Sequence, residues 1–183
     1  MIDTIIFDYG GVISSQQRSV SFCEWISRGD AKRTRGISYD EAKSIFKTDI
    51  SKQYKVGKAT QKNLLQEKFW RQFIELGLED TIDDLQKKFV SFNEADDNMV
   101  KLINWLDKRF TLAMISDSLP ELSNDVEARF GTIFETMIFS DREGCVKKEG
   151  LYDEAIPQIG KDLKNCIYID DRKENLPYLE SQG

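Results

Sequence analysis

The 183-residue chain contains no histidine. That absence removes Ser-His-Asp and Cys-His nucleophilic catalysis and histidine-rich zinc sites together. Acid–base or nucleophilic work is left to carboxylates, lysine, serine or water. Cysteine is scarce as well: Cys23, Cys145 and Cys166 are odd in number, widely spaced and form no C-x-x-C pair. This is the usage expected of a reduced, cytoplasmic protein whose thiols serve as small buried hydrophobes. Positive charge is not in surplus, since 26 basic residues stand against 32 acidic ones for a net charge of −6. No nucleic-acid partner is therefore expected, and an anionic ligand has to be met by local cations. No apolar run approaches membrane-spanning length, so no membrane partner is expected either. Met1-Ile2-Asp3 leads into an apolar strand without the basic start of a secretory signal. Oligomeric state leaves no mark in the sequence.

What is present is an ordinary globular composition, 40% hydrophobic and 32% charged, enough for one domain or a core with an inserted subdomain. Four apolar runs end in polar residues. Ile5-Ile6-Phe7 precedes Asp8-Tyr9-Gly10-Gly11-Val12, and Leu112-Ala113-Met114-Ile115 precedes Ser116-Asp117-Ser118. Met137-Ile138-Phe139 precedes Ser140-Asp141, and Ile167-Tyr168-Ile169 precedes Asp170-Asp171. After residue 97, helical periodicity alternates with these runs: helices near 98–109, 120–130 and 151–160, strands at 111–116, 136–140 and 165–169, and a last helix after Arg172. Such alternation with short connections predicts an α/β fold with a parallel sheet covered by helices on both faces. Pro120 suits a first helical turn.

The stretch from about Ser14 to Asp96 reads as almost wholly helical. Ser38-Tyr39-Asp40-Glu41 is a capping box ahead of Ala42, Ile45 and Phe46. Gly57-Lys58-Ala59-Thr60 is a turn, with Thr60 capping a helix that carries Leu64, Leu65, Phe69, Phe73 and Leu76 until Gly77. Ile82, Leu85, Phe89 and Phe92 mark another. This block is most simply an insertion after the first strand, a cap over the strand ends.

In a parallel sheet those ends converge on one crevice. Asp8 is the candidate nucleophile for a phosphoryl or alkyl centre, with Gly10 and Gly11 letting backbone amides approach the transferring group. Asp170 and Asp171 with Asp8 form an oxygen-rich set suited to Mg²⁺, and Asn175 lies where it could orient a metal-bound water. Ser116 and the Asp117 amide are candidate phosphate donors, and Lys147 or Lys148 could neutralise charge on the nucleophile. A strand-ending aspartate, a helix-capping aspartate, a turn serine and a solvated lysine pair are also ordinary structure, so none of these carries the reading alone.

Taken in order, Asp8-x-x-Gly11-Val12, Ser116, Lys147 or Lys148, and Asp170-Asp171 resemble the four motifs of the haloacid dehalogenase (HAD) superfamily across essentially the whole chain. The helical block resembles that superfamily's first-type cap, down to the Tyr54-x-x-Gly57-Lys58-Ala59-Thr60 turn. The resemblance implies a Rossmann-like core over 1–14 and 97–183, a helical cap over 15–96, a Mg²⁺ cofactor, and phosphoryl transfer from a small phosphorylated metabolite through an aspartyl-phosphate. By matching position, Asp8 would be nucleophile and metal ligand, the Gly10 carbonyl a second ligand, and Asp171 with Asp170 the remaining protein ligands. Ser116 would bind phosphate. Counting from Gly144 favours Lys147 over Lys148, but the usual Lys-Pro-Asp-Pro context is absent.

Gly10 departs from the pattern, because phosphatases of the superfamily usually carry there the aspartate that protonates the leaving oxygen. Losing a general acid costs about 10²–10⁴ in rate, so a catalytically impaired binding or regulatory protein is the alternative. A metal-independent haloacid dehalogenase ranks third, since the paired acids favour metal and phosphate. Trp25, Tyr54, Lys55 and Lys58 are the candidate specificity residues of the cap, with Trp25 expected to pack between helices instead. The sequence stops at Gly183, where the superfamily adds a further strand, so either it is cut short or the sheet has a bare edge.

Overall fold

A computed structural model describes residues 1–15, 17–57 and 62–182. Strands β1 (Thr4–Phe7), β2 (Thr111–Ser116), β3 (Thr136–Phe139) and β4 (Cys166–Ile169) form one sheet in the order β3-β2-β1-β4, with every pairing parallel. The chain adds β2 and β3 to one side of β1, then crosses to add β4 on the other. β1 therefore sits where the winding reverses, and a crevice opens there beyond the carboxyl ends of the strands.

Between β1 and β2 lie α1 (Arg18–Arg28), α2 (Tyr39–Ile45), α3 (Asp49–Lys55), α4 (Lys62–Leu76), α5 (Ile82–Ser91) and α6 (Asp97–Leu106). The later helices are α7 (Pro120–Phe130), α8 (Ser140–Glu143), α9 (Leu151–Ile159) and α10 (Leu176–Gln182). Local chemistry accounts for the boundaries. The Ser38 hydroxyl accepts from the Glu41 amide and Glu41 returns the bond, the predicted capping box of α2. Asp96 caps α6 by accepting from the Asn98 and Met99 amides, which starts that helix slightly earlier than its apolar period suggests. Pro120 opens α7. The turn at Lys58-Ala59-Thr60 lies outside the described residues.

The sheet buries one apolar cluster on each face, around Phe7, Met114 and Phe139 on one and around Ile6, Ile115 and Leu151 on the other. Both faces are covered as expected, most thinly at the edge strand β4. Its side chains alternate, with Ile167 and Ile169 exposed at 44% and 37% and Cys166 and Tyr168 turned inward. Helices α1 to α5 enclose a cluster of their own, in which the Phe22 ring meets Phe46, Trp70, Phe73 and Phe89 edge-on at 5.2–6.4 Å. Leu119 and Leu122 reach into that cluster from the start of α7.

Polar contacts tie the helical block to the sheet. Glu121 Oε1 on α7 accepts from Tyr54 Oη, Gln66 Nε2 and Trp70 Nε1, and Ser140 Oγ donates to the Lys55 carbonyl at 2.9 Å. Gly57, with φ +53, runs so close to α8 that a Cβ there would lie 1.7 Å from the Asp141 carbonyl oxygen. Gly57→Ala is therefore expected to destabilise the fold by about 2 kcal/mol or more through combined strain and overlap. Thermal melting reads this as a drop of about 4–8 °C; an unchanged melting temperature would mean that this turn does not press on α8.

Candidate active site

Polar groups beyond the strand ends meet at the crevice. Asp8 follows β1 and is bonded through its amide to the Ile169 carbonyl of β4 at 2.8 Å, which brings the first-strand carboxylate beside the late acidic pair. Ser116 ends β2. Lys147 begins a short 3-10 turn (Lys147–Glu149) between two left-handed glycines, Gly144 and Gly150. That turn seats the Lys147 side chain inward at 2% exposure, with Nζ 2.9 Å from Asp8 Oδ1 and 2.6 Å from Asp170 Oδ2. Lys148 points away and meets Glu174 at 3.7 Å on the surface. Of the two lysines left open by the sequence, Lys147 is at the crevice and Lys148 is not.

Asp170 is saturated. Besides Lys147, its Oδ2 accepts from Tyr168 Oη, Asn175 Nδ2 donates to both of its oxygens at 2.9 Å, and the Arg172 amide donates to Oδ1 at 2.9 Å. Burial alone would push its carboxyl up, but the Lys147 ammonium and these donors outweigh burial and hold it below its ordinary range. Asp8 shows the opposite balance. Burial dominates and raises its carboxyl, against the pull of Lys147 and a hydrogen bond from Ser116. Asn175, read from sequence as a water-orienting group, lines the crevice and holds Asp170 in place.

Asp171 lies against the Gly11 turn and accepts from Gln17 Nε2 at 3.1 Å. A Cβ on Gly11 would fall 2.5 Å from Asp171 Oδ2, and Gly11 has φ +83, so glycine is what allows this carboxylate to approach. Asp8, Asp170 and Asp171 each offer an oxygen within 4.8 Å of the others. Because Asp170 already accepts from its own donors, Asp8 and Asp171 are the members of this oxygen cluster better placed to take a divalent cation. Asp117 lines the crevice, and its Oδ1 accepts from the Lys147 amide at 2.9 Å.

The crevice is small, about 120 Å³, against the ~300–1,000 Å³ common for ligand clefts. Lys55 lines it from α3, and burial pulls that ammonium down. Tyr54 does not line it, being buried with its hydroxyl on Glu121. Trp25 packs against Phe22 at 5.5 Å, as expected, and Lys58 lies outside the described residues. Sequence reasoning missed Arg18, Arg172 and Tyr168, all of which belong here. The period-two rule would have found Tyr168, two residues from Asp170 on one strand face.

The sequence matches no protein-family model, and no curated protein matches it. Solved structures do resemble it. A HAD family enzyme, BT-2542 from Bacteroides thetaiotaomicron, solved with magnesium and inorganic phosphate, superposes with a TM-score of 0.74 at 17% identity, covering 100% of this chain and 91% of that one. A predicted HAD-like family hydrolase from Porphyromonas gingivalis gives 0.73 at 19% identity, over 100% and 88% of the two chains. The L-2-haloacid dehalogenase PA0810 gives 0.68 at 16%, over 100% and 82%. The chain thus has the HAD-like α/β fold anticipated from its four strand-end motifs.

Proposed function

We propose that the chain is a divalent-cation-dependent hydrolase, a phosphatase that acts on a small phosphorylated metabolite through an aspartyl-phosphate at Asp8. The observation that carries this reading is the buried Lys147 ammonium bridging Asp8 and Asp170, with Asp171 beside them at the strand ends. Two carboxylates so near each other need a cation to coexist ionised, and an ionised Asp8 is what nucleophilic attack on phosphorus requires. Lys147 favours the charged form of Asp8 against the burial that on balance raises its carboxyl, and it offsets repulsion between that carboxylate and phosphoryl oxygens. Ser116 orients the Asp8 carboxylate. Asp170, fixed by Tyr168 and Asn175, positions Lys147. Asp8, Asp171 and the Gly10 carbonyl would hold Mg²⁺, which supplies charge neutralisation to the phosphoryl group when bound. The helical block, acting as a cap, limits the crevice to small substrates. The magnesium and phosphate in the BT-2542 structure support this reading at the level of fold.

Among the described residues no helix is long and apolar enough to cross a membrane, and a cytoplasmic location with reduced cysteines remains our reading of the sequence. The test is a panel of phosphoryl compounds assayed with Mg²⁺ and again after chelation. Turnover that disappears with chelator and returns with Mg²⁺ is expected. Chloride release from a 2-haloacid that persists in chelator would replace the reading with a dehalogenase. Tight metabolite binding with no turnover of any compound would favour the binding protein that Gly10 suggests.

A further inference from the structure

Gly10 leaves the crevice without the carboxylic acid that would protonate a leaving oxygen, and a different group stands in its direction. Gly10 has no left-handed φ. A Cβ built on it would meet, among the described residues, only Arg18 Nη2 at 4.0 Å. Arg18 is buried at 7% exposure and lines the same crevice as Asp8 and Ser116.

Its orientation is set from behind. Nη1 donates to Asn93 Oδ1, and the guanidinium carbon stands 5.1 Å from the centroid of the Tyr9 ring. Asn93 is oriented in turn by donating Nδ2 to Asp125 Oδ2 at 2.6 Å, and Asp125 pairs with Arg129 at 3.1 Å. Among the described residues no carboxylate lies in salt-bridge contact with Arg18, although Asp8 and Asp125 attract its charge from farther off. Burial lowers its pKa only to about 10, so it is charged at neutral pH. A buried, charged guanidinium facing a cavity without a carboxylate in direct contact is suited to an anion brought by the ligand. Gln17, Arg18 and Ser19 line the crevice as the cap and first residues of α1, which has no acidic residue in its first turn and no side-chain cap. Its N-terminal partial charge adds to the same wall.

The carboxylates around the crevice are acceptors. Asp117 takes the Lys147 amide, Asp170 takes Lys147, Tyr168 and Asn175, and Asp171 takes Gln17. Resting on the phosphoryl-transfer reading above, we infer that Arg18 faces the leaving group. The preferred substrates are then phosphoryl compounds whose leaving group departs as a stable anion, acyl phosphates and phosphoanhydrides, and not esters of simple alcohols. An Asp8 oxygen bonds to phosphorus while the bond from phosphorus to the leaving oxygen breaks, its electron pair staying on that oxygen. The leaving carboxylate or phosphate needs no proton, and its charge is met by Arg18. Water then attacks phosphorus, regenerating the Asp8 carboxylate, with the water oxygen in inorganic phosphate and its proton lost to solvent.

The test compares kcat/KM for acetyl phosphate, a nucleoside diphosphate, phenyl phosphates with leaving groups of graded acidity, and glycerol phosphate. Wild type is expected to turn over acetyl phosphate or the diphosphate, to slow steeply as the phenol becomes less acidic, and to leave glycerol phosphate nearly untouched. Arg18→Met should cost about 10²–10³-fold on acetyl phosphate and the diphosphate, with partial recovery in Arg18→Lys. If Arg18→Met fails to fold, Gly10→Asp serves, since the backbone accepts a side chain there. The new carboxylate would occupy the guanidinium and lower acetyl phosphate turnover without disturbing melting. Equal turnover of glycerol phosphate and acetyl phosphate by wild type would overturn the inference. So would an unchanged rate in Gly10→Asp, or a steep loss of poor-leaving-group activity in Lys55→Met, which would make Lys55 the proton donor. Asp8 phosphorylation read in parallel separates the two claims: absent with every donor, the phosphatase reading fails; present but insensitive to the leaving group, only the role of Arg18 does.

Discussion

Asp8→Asn is expected to abolish phosphoryl turnover, by about 10⁴-fold or more, while the protein melts at or above the wild-type temperature. The two halves of this result share one cause. An amide cannot attack phosphorus, so the route closes. Yet the Asp8 charge is held in the fold against burial and against Asp170, which both raise its pKa. Removing it leaves Lys147 with its Asp170 partner at 2.6 Å and relieves the repulsion. Retained turnover would move the nucleophile elsewhere. A collapse in melting temperature would make Asp8 a structural residue whose partner is Lys147.

Lys147→Met is expected to damage both stability and rate. The ammonium sits between carboxylates of 11% and 0% exposure, and breaking a buried pair by removing one partner costs about 3–5 kcal/mol. That corresponds to a fall in melting temperature on the order of 10 °C for a chain of this size. Turnover should fall about 10²–10³-fold, as for loss of one fixed positive group at a developing charge. Lys147→Met with Asp170→Asn separates the effects: the second substitution removes the more buried of the two stranded charges, so part of the stability returns while the rate stays low. Recovery of rate with stability would reduce Lys147 to a structural cation. The neighbouring Lys148→Met change, which touches only the surface contact with Glu174, should alter neither.

How much of this could be read from the chain depends on what each residue leaves in the local pattern. Asp8, Ser116, Asp170 and Asp171 stand where apolar runs stop, and strand ends of a parallel sheet converge, so the pattern alone brought them together. Gly10 and Gly11 were visible as a turn, but only the close approach of Asp171 to Gly11 separates the glycine that packing requires from the one it does not. Spacing from Gly144 favours Lys147 over Lys148 but leaves the register open, because the choice depends on the phase of a three-residue turn between Gly144 and Gly150. Tyr168 hid inside an apolar run. Arg18 hid in a polar stretch after Ser14, where an arginine reads as solvated surface; its burial comes from Tyr9 and Asn93, the latter far along the sequence. α1 and α3 were legible only as helical character without bounds, since α1 has no capping side chain and α3 is seven residues long.

The most direct measurement is an acid-quenched single turnover with the fastest phosphoryl donor and Mg²⁺, followed by digestion and mass spectrometry of the peptide that spans Asp8. A phosphoryl adduct on Asp8, absent from Asp8→Asn and from chelated enzyme, is the predicted result. Product released in that turnover with Asp8 unmodified, or with the adduct on another side chain, would contradict it.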